Sequence, residues 1–232
     1  MIDQQNQCQG VRPQAALFDV DGTLVDTNDL HAAAWRECFL HFGLDKPLDE
    51  IRWQIGKGGD NLLPTLFPEL SEARVEEMDA FRGELFKRDY LPRAVPFPEV
   101  RALFERIVEA SARIVLASSA GKEEVHYHLG LLACEDLVSA TTTKDDVESS
   151  KPCPDIFEAA LAKVAPLGAQ DVAVVGDSPW DVKAAGRARM RAVGFLSGGF
   201  PGEALREAGA CELYEGPADL LARFETSVFG RG

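Results

Sequence analysis

Long apolar runs are missing from this chain of 232 residues. No stretch approaches the roughly 20 apolar residues that a membrane-spanning helix needs, so no membrane partner is expected. Paired cysteines are missing too. The five present, Cys8, Cys38, Cys134, Cys153 and Cys211, are scattered without a Cys-x-x-Cys. That argues against a disulfide framework or a thiolate zinc site, and it suits reduced thiols in a cytoplasm. Positive charge is scarce: 24 Lys and Arg stand against 38 Asp and Glu, a formal charge of −14. A polyanion requires a clustered cationic face, and no Lys/Arg run supplies one, so nucleic acid is excluded as the main partner. Residues 1–14, rich in Gln and without an apolar centre, read as a disordered tail rather than a secretory signal. What remains is an ordinary globular composition, 46% hydrophobic, long enough for one core domain and a smaller insertion.

Hydrophobic periodicity predicts a strand over 15–20, then helices over 28–42, 48–55, 60–66 and 71–89. After the prolines at 92, 96 and 98, which stiffen a connector, helices and strands alternate. Helices are expected over 99–110, 122–132, 155–164, 180–189, 203–208 and a last one ending near 224. Strands are expected over 113–117, 137–140, 172–175, 192–195 and 211–214. Alternation of this kind means α/β architecture: a doubly wound, Rossmann-like parallel sheet with helices on both faces. The all-helical block interrupts it after the first strand. The expected division is a core of 15–26 and 92–232 and a helical cap of 27–91, with 25–27 and 91–98 as hinges.

Chemistry concentrates where predicted strands end, the place where open α/β sheets bind ligands. Residues 15–26 read Ala-Ala-Leu-Phe-Asp-Val-Asp-Gly-Thr-Leu-Val-Asp. Asp19 and Asp21, two apart on an extended chain, point the same way, and paired acids repel unless a cation or a shared proton relieves them. The strand over 113–117 runs into Ser118-Ser119-Ala120-Gly121, a hydroxyl followed by N–H groups at a helix start, which can cradle an anion. Lys151 sits in Ser-Lys-Pro-Cys-Pro-Asp, held between polar residues and prolines. The strand over 172–175 ends in Gly176-Asp177-Ser178-Pro179-Trp180-Asp181, with Asp177 and Asp181 one helical turn apart.

In this order, Asp19-Val20-Asp21-Gly22-Thr23, Ser118, Lys151 and Gly176-Asp177-x-x-x-Asp181 resemble the four motifs of the haloacid dehalogenase-like superfamily. The helical insertion is similar to the cap of its phosphoglycolate-phosphatase and β-phosphoglucomutase branch. The resemblance spans 15–224. It implies phosphoryl transfer from a small phosphorylated metabolite through an aspartyl-phosphate, with Asp19 as nucleophile and Asp21 as general acid/base. It implies Mg²⁺ held by Asp19, Asp177 and the carbonyl of Asp21, a hard cation on oxygen ligands, with Asp181 orienting a ligand water. Lys151 and Ser118, with Ser119 beside it, would hold the phosphate. Neighbouring carboxylates and closure of the cap are expected to raise the Asp21 pKa enough to protonate a leaving oxygen.

Asp21 argues against a dehalogenase or a phosphonate hydrolase, whose patterns differ there. The mutase branch often carries Glu-Asp in place of Gly176-Asp177 and Asp-Gly-Val in place of Asp21-Gly22-Thr23, so a phosphatase is favoured over a phosphosugar mutase. A non-catalytic phosphoacceptor or binding protein is the alternative of another class. His31, Arg52 and Lys57 are the cap residues expected to touch substrate. Lys122 is read as a phosphate contact or a surface residue, and His126 and His128 as helix surface. A cytoplasmic monomer or small homo-oligomer is expected.

Overall fold

A computed structural model describes residues 11–231. Six parallel strands form the main sheet: β1 (Ala15–Phe18), β4 (Arg113–Ala117), β5 (Ala140–Thr142), β6 (Val172–Gly176), β7 (Arg191–Phe195) and β8 (Glu212–Tyr214). They lie in the order β5-β4-β1-β6-β7-β8. The chain builds outward from β1 in one direction and then restarts on its other side with β6. Ligands in such sheets bind at this reversal, beyond the carboxyl ends of the strands.

Both faces of the sheet are covered, and the alternation of side chains along each strand explains how. Ala16 and Phe18 point into one apolar layer with α5 (Val100–Glu109), α6 (Lys122–Leu132) and α10 (Pro217–Ala222). Ala15 and Leu17 point into the other, with α7 (Asp155–Ala162), α8 (Pro179–Arg187) and α9 (Gly202–Ala208). Strands buried on two sides need apolar residues at every position, hence Val-Ala-Val-Val-Gly in β6.

The intervening block has its own core. Helices α1 (Asn28–His41), α2 (Leu48–Gln54), α3 (Gly59–Leu66) and α4 (Glu72–Leu85) enclose Trp35, Phe39, Ile51, Leu62, Phe67 and Met78. One π turn (Phe86–Tyr90) continues α4. The two connections joining this block to the sheet pair with each other as short antiparallel strands, β2 (Val25–Asp26) and β3 (Val95–Pro96). Sequence periodicity does not reveal strands of two residues.

One strand differs from expectation. Residues 137–140 were the predicted strand, but β5 starts at Ala140, after Ser139 donates to the Ile114 carbonyl at 2.8 Å. Leu137 and Val138 instead pack on the sheet's core from a loop. Their apolarity reports burial, while the β-branched Thr141 and Thr142 carry the pairing. The expected tail falls largely on residues 1–10, outside the described residues.

Candidate active site

Parallel strands with aligned carboxyl ends bring distant motifs together. Asp19 follows β1 and Asp177 follows β6, and these strands are neighbours in register, with Phe18 opposite Val175. Carboxylate oxygens of Asp19, Asp177 and Asp181 lie within 4.8 Å of one another. All three residues are at least 95% buried. Lys151, 1% exposed, enters from the loop before α7. Its ammonium contacts Asp19 Oδ1 and lies 2.7 Å from Asp181 Oδ1.

Each carboxylate is held by donors. The Thr23 hydroxyl donates to Asp177 Oδ1 at 2.9 Å and reaches Asp19 Oδ2 at 3.2 Å. Asn28 Nδ2 donates to Asp177 Oδ2 at 2.8 Å. Asp181 accepts from the Ser178 N–H at 3.1 Å while the Ser178 hydroxyl caps α8. Two glycines make room. A Cβ on Gly176 would stand 2.5 Å from Asp181 Cγ, and one on Gly198 would overlap the Asp177 carboxylate.

The electrostatics are those of an under-neutralised acid cluster. Burial, then Asp181, pushes the Asp177 carboxyl up to about 7. Burial likewise raises Asp19 well above the carboxylate range; Lys151 pulls it down, and Asp181 and Asp177 push it further up. Burial would lower Lys151, but Asp181 and Asp19 hold it above its ordinary value. One ammonium among three carboxylates leaves excess negative charge at a pocket of hard oxygen donors. That donor set fits a dication such as Mg²⁺.

This charge excess makes a prediction about pH. With Asp19 and Asp177 raised, the metal-free native state holds protons that the unfolded chain releases above the ordinary carboxylate value of 3.8. Its unfolding free energy therefore falls as pH rises between about 4 and about 7. Mg²⁺ is expected to raise the melting temperature more at about pH 7.5 than at about pH 5. Thermal scans with Mg²⁺ or EDTA check this, and an equal shift at both pH values would contradict it.

Asp21 reverses the expectation stated above. Burial opposes its ionisation, but His31 and His128 outweigh that and hold its carboxyl well below the usual range. His31 Nε2 lies 3.0 Å from Asp21 Oδ1, and the Thr27 hydroxyl donates to the same oxygen at 2.7 Å. The neighbours that matter to Asp21 are imidazoles, not carboxylates.

Ser118 is fully buried and its hydroxyl accepts from the Ala120 N–H at 3.0 Å. Ser119 Oγ has no partner and lines a crevice together with Asp19, Asp21, His31, Lys57 and Arg82. Lys57 donates to Gln54 at 2.7 Å and stands over the Trp180 ring at 4.0 Å. Arg52 goes elsewhere: it donates to the Gly198 carbonyl at 3.0 Å and pairs with Asp29 at 2.7 Å, so it braces α2 against the Gly198 loop. Lys122 is on the helix surface beside Asp146, as is His126. His128 corrects the surface reading, being 0% exposed. It shares the face of α6 that carries Val125 and Leu132, a spacing that was available in the sequence. Thr23 stands in the first motif without an assigned role, and Asn28, Arg82 and Gly198 were missed. Buried Asn28 at a helix start carried a faint signal, and Gly198 none.

Comparison with other proteins places the chain in a family. The chain belongs to the haloacid dehalogenase-like hydrolase family, whose model matches residues 16–195. Among its relatives is the phosphorylated carbohydrates phosphatase of Thermotoga maritima, 29% identical over 90% of this chain and 96% of that one. Another is the phosphoglycolate phosphatase of Yersinia pestis, 30% identical over 88% and 90%. A solved hydrolase from Pseudomonas syringae superposes with a TM-score of 0.85 at 30% identity, covering 92% of this chain and 98% of that one. No described helix is long and apolar enough to cross a membrane.

Proposed function

We propose that the protein is a Mg²⁺-dependent phosphatase that hydrolyses a small phosphorylated metabolite through a phosphoryl group carried on Asp19. The observation that carries this reading is the convergence of Asp19, Asp177, Asp181 and Lys151 within hydrogen-bonding or coordinating reach of one another. Mg²⁺, held by Asp19, Asp177 and the carbonyl of Asp21, would offset the repulsion between a carboxylate and a phosphate dianion. Lys151 neutralises the nucleophile's pocket and keeps Asp181 in place. Ser118, Ser119 and the N–H groups before α6 donate to phosphate oxygens, preorganised donors of the kind worth about 3 kcal/mol each. Asp21, ionised and hydrogen-bonded to His31, accepts the proton of the water that releases phosphate from Asp19. In the first half-reaction the proton for the leaving oxygen comes from the Asp21–His31 pair. The α1–α4 block acts as the cap that excludes water during transfer.

Two local features favour hydrolysis over mutase chemistry. Thr23 donates to Asp177, which a valine there could not do. Gly176 leaves the space into which the Asp181 side chain fits, so a glutamate at that position would collide with it. Beside Ser119 opens a cavity of about 270 Å³ lined by Asp79, Arg82, Lys144 and Ser150. Its Asp79 Oδ1 and Ser119 Oγ are buried without hydrogen-bond partners. Mixed donors and acceptors suit a hydroxyl-rich leaving group, and the Asp79 carboxylate disfavours a second anion. The carbohydrate phosphatase among the relatives agrees with that preference.

The test is inorganic phosphate release from sugar monophosphates, phosphoglycolate and pyrophosphate, with Mg²⁺ or EDTA. Mg²⁺-dependent release, greatest with sugar monophosphates, is the expected result. Interconversion of phosphosugars without free phosphate would establish the mutase instead. Absence of both reactions would leave only a binding role.

A further inference from the structure

A second cluster gathers around Asp21, with no residue in common with the Asp19–Asp177–Asp181 set. Asp21 follows β1, His31 sits in α1, and Glu124 and His128 are one turn apart on the same face of α6. His31 Nε2 is 3.0 Å from Asp21 Oδ1 and 3.8 Å from Glu124 Oε1, and His128 Nδ1 is 3.9 Å from Asp21 Oδ1. One ligand atom from each of Asp21, His31 and Glu124 fits within a 4.8 Å span.

The cluster is also unsatisfied. Glu124 is 5% exposed and its Oε1 has no hydrogen-bond partner; His128 is 0% exposed and neither ring nitrogen has one. Buried polar atoms left this way are costly, and native structures keep few of them. The Glu124 carboxylate oxygen and the His128 ring, both buried without hydrogen-bond partners beside Asp21 and His31, point to an occupant that none of these side chains supplies.

We infer that Asp21, His31 and Glu124 bind a transition-metal dication of the zinc type at a site separate from the Mg²⁺ pocket. The donor chemistry selects the ion. Mg²⁺ takes oxygen ligands, whereas imidazole nitrogen with carboxylate oxygen suits zinc or cobalt. Zinc bonds of about 2.0–2.2 Å in tetrahedral array set ligand atoms about 3.3–3.6 Å apart, close to the separations found here. Stacking of His31 on Phe86, 3.9 Å between ring centres and nearly parallel, already fixes one ligand ring. Taking the metal on Nε2 places the ring proton on Nδ1. Arg82, whose Nη1 lies 3.5 Å from Nδ1, then turns to Asp79, 3.8 Å from its Nη2.

The ion has two consequences for the proposed reaction, on which only this step of the inference rests. It occupies the carboxylate that must exchange protons, and it ties α1 to α6, so that the helical block cannot part from the sheet. Zinc is therefore an inhibitor that does not displace Mg²⁺.

Calorimetric titration of Zn²⁺ into the metal-stripped full chain, with Co²⁺ absorption as an optical reading of tetrahedral ligation, tests the site without any substrate. Asp177→Asn, which disables the Mg²⁺ pocket, is expected to keep one zinc equivalent. Glu124→Gln is expected to weaken that equivalent at least tenfold, to keep Mg²⁺-dependent turnover and to escape zinc inhibition. Anomalous diffraction at the zinc edge on wild-type crystals locates the ion whether or not the variants fold. Zinc found only between Asp19 and Asp177, Glu124→Gln binding as wild type does, or a water in place of a metal would each overturn the inference. Zinc binding at this site in a protein that releases no phosphate would sink the phosphatase reading alone.

Discussion

Replacing Asp19 with asparagine is expected to lower phosphate release by at least about four orders of magnitude, roughly 5.4 kcal/mol of barrier at 1.36 kcal/mol per decade. The substitution preserves shape. The amide can still accept from Thr23, now 3.2 Å from Asp19 Oδ2, and Lys151 keeps Asp181 at 2.7 Å. What is lost is the oxygen proposed as the nucleophile and one negative charge. In a pocket where burial and two neighbouring carboxylates already press Asp19 toward its neutral form, deleting that charge relieves repulsion. The variant should therefore melt no lower than the wild type in EDTA while being inactive with Mg²⁺. This pairing of outcomes separates chemistry from folding. Steady-state phosphate release and thermal scans on the same preparation measure it, and residual turnover within a hundredfold of wild type would remove Asp19 from its assigned role.

The same residues show how much of this site was legible in the sequence. Asp19 and Asp177 are 158 positions apart, yet each ends an apolar run and precedes a turn or helix start. A parallel sheet with all carboxyl ends on one edge then leaves little freedom in where they go. Lys151 was legible only through its motif, because nothing local to Ser-Lys-Pro dictates which pocket the ammonium enters. The environment of Asp21 was not legible. Its acidity depends on His31 from α1 and His128 from α6, and whether two helices converge on one carboxylate is a matter of tertiary packing. The misread of His128 has a plain cause. Histidine is a frequent surface residue, but here Val125, His128 and Leu132 form one stripe at helical spacing. The contact of the Arg52 guanidinium with the Gly198 carbonyl likewise depends on tertiary packing that no local pattern announces. The β2–β3 pairing that ties both connections together involves two residues on each side, too few for any period to register.

Substituting Lys151 by methionine separates the pocket's two electrostatic roles. The wild-type ammonium is held above its ordinary pKa, so its contribution to stability is present throughout the neutral range and would fade only at a pH above its unfolded value. Methionine fills much of the same volume beside Phe157 but leaves Asp19, Asp177 and Asp181 with no ammonium among them. Breaking a buried ion pair by removing one partner costs about 3–5 kcal/mol, which for a chain of this length corresponds to a fall in melting temperature of roughly 6 °C or more in EDTA. The loss should grow as pH rises above the ordinary carboxylate range, since the abandoned acids can evade their repulsion only by taking up protons. Mg²⁺ brings positive charge back and should recover part of the stability. It should not recover turnover, which is expected to stay down by about 10²–10³-fold because the fixed charge proposed to meet the transferring phosphoryl group is gone. Arginine is no remedy: a planar fork does not fit where a single Nζ touches two carboxylates within a sealed pocket. A Lys151→Met protein whose stability is indifferent to both pH and Mg²⁺ would mean that the three carboxylates are not electrostatically coupled, and the case for a cation between Asp19 and Asp177 would fall with that result.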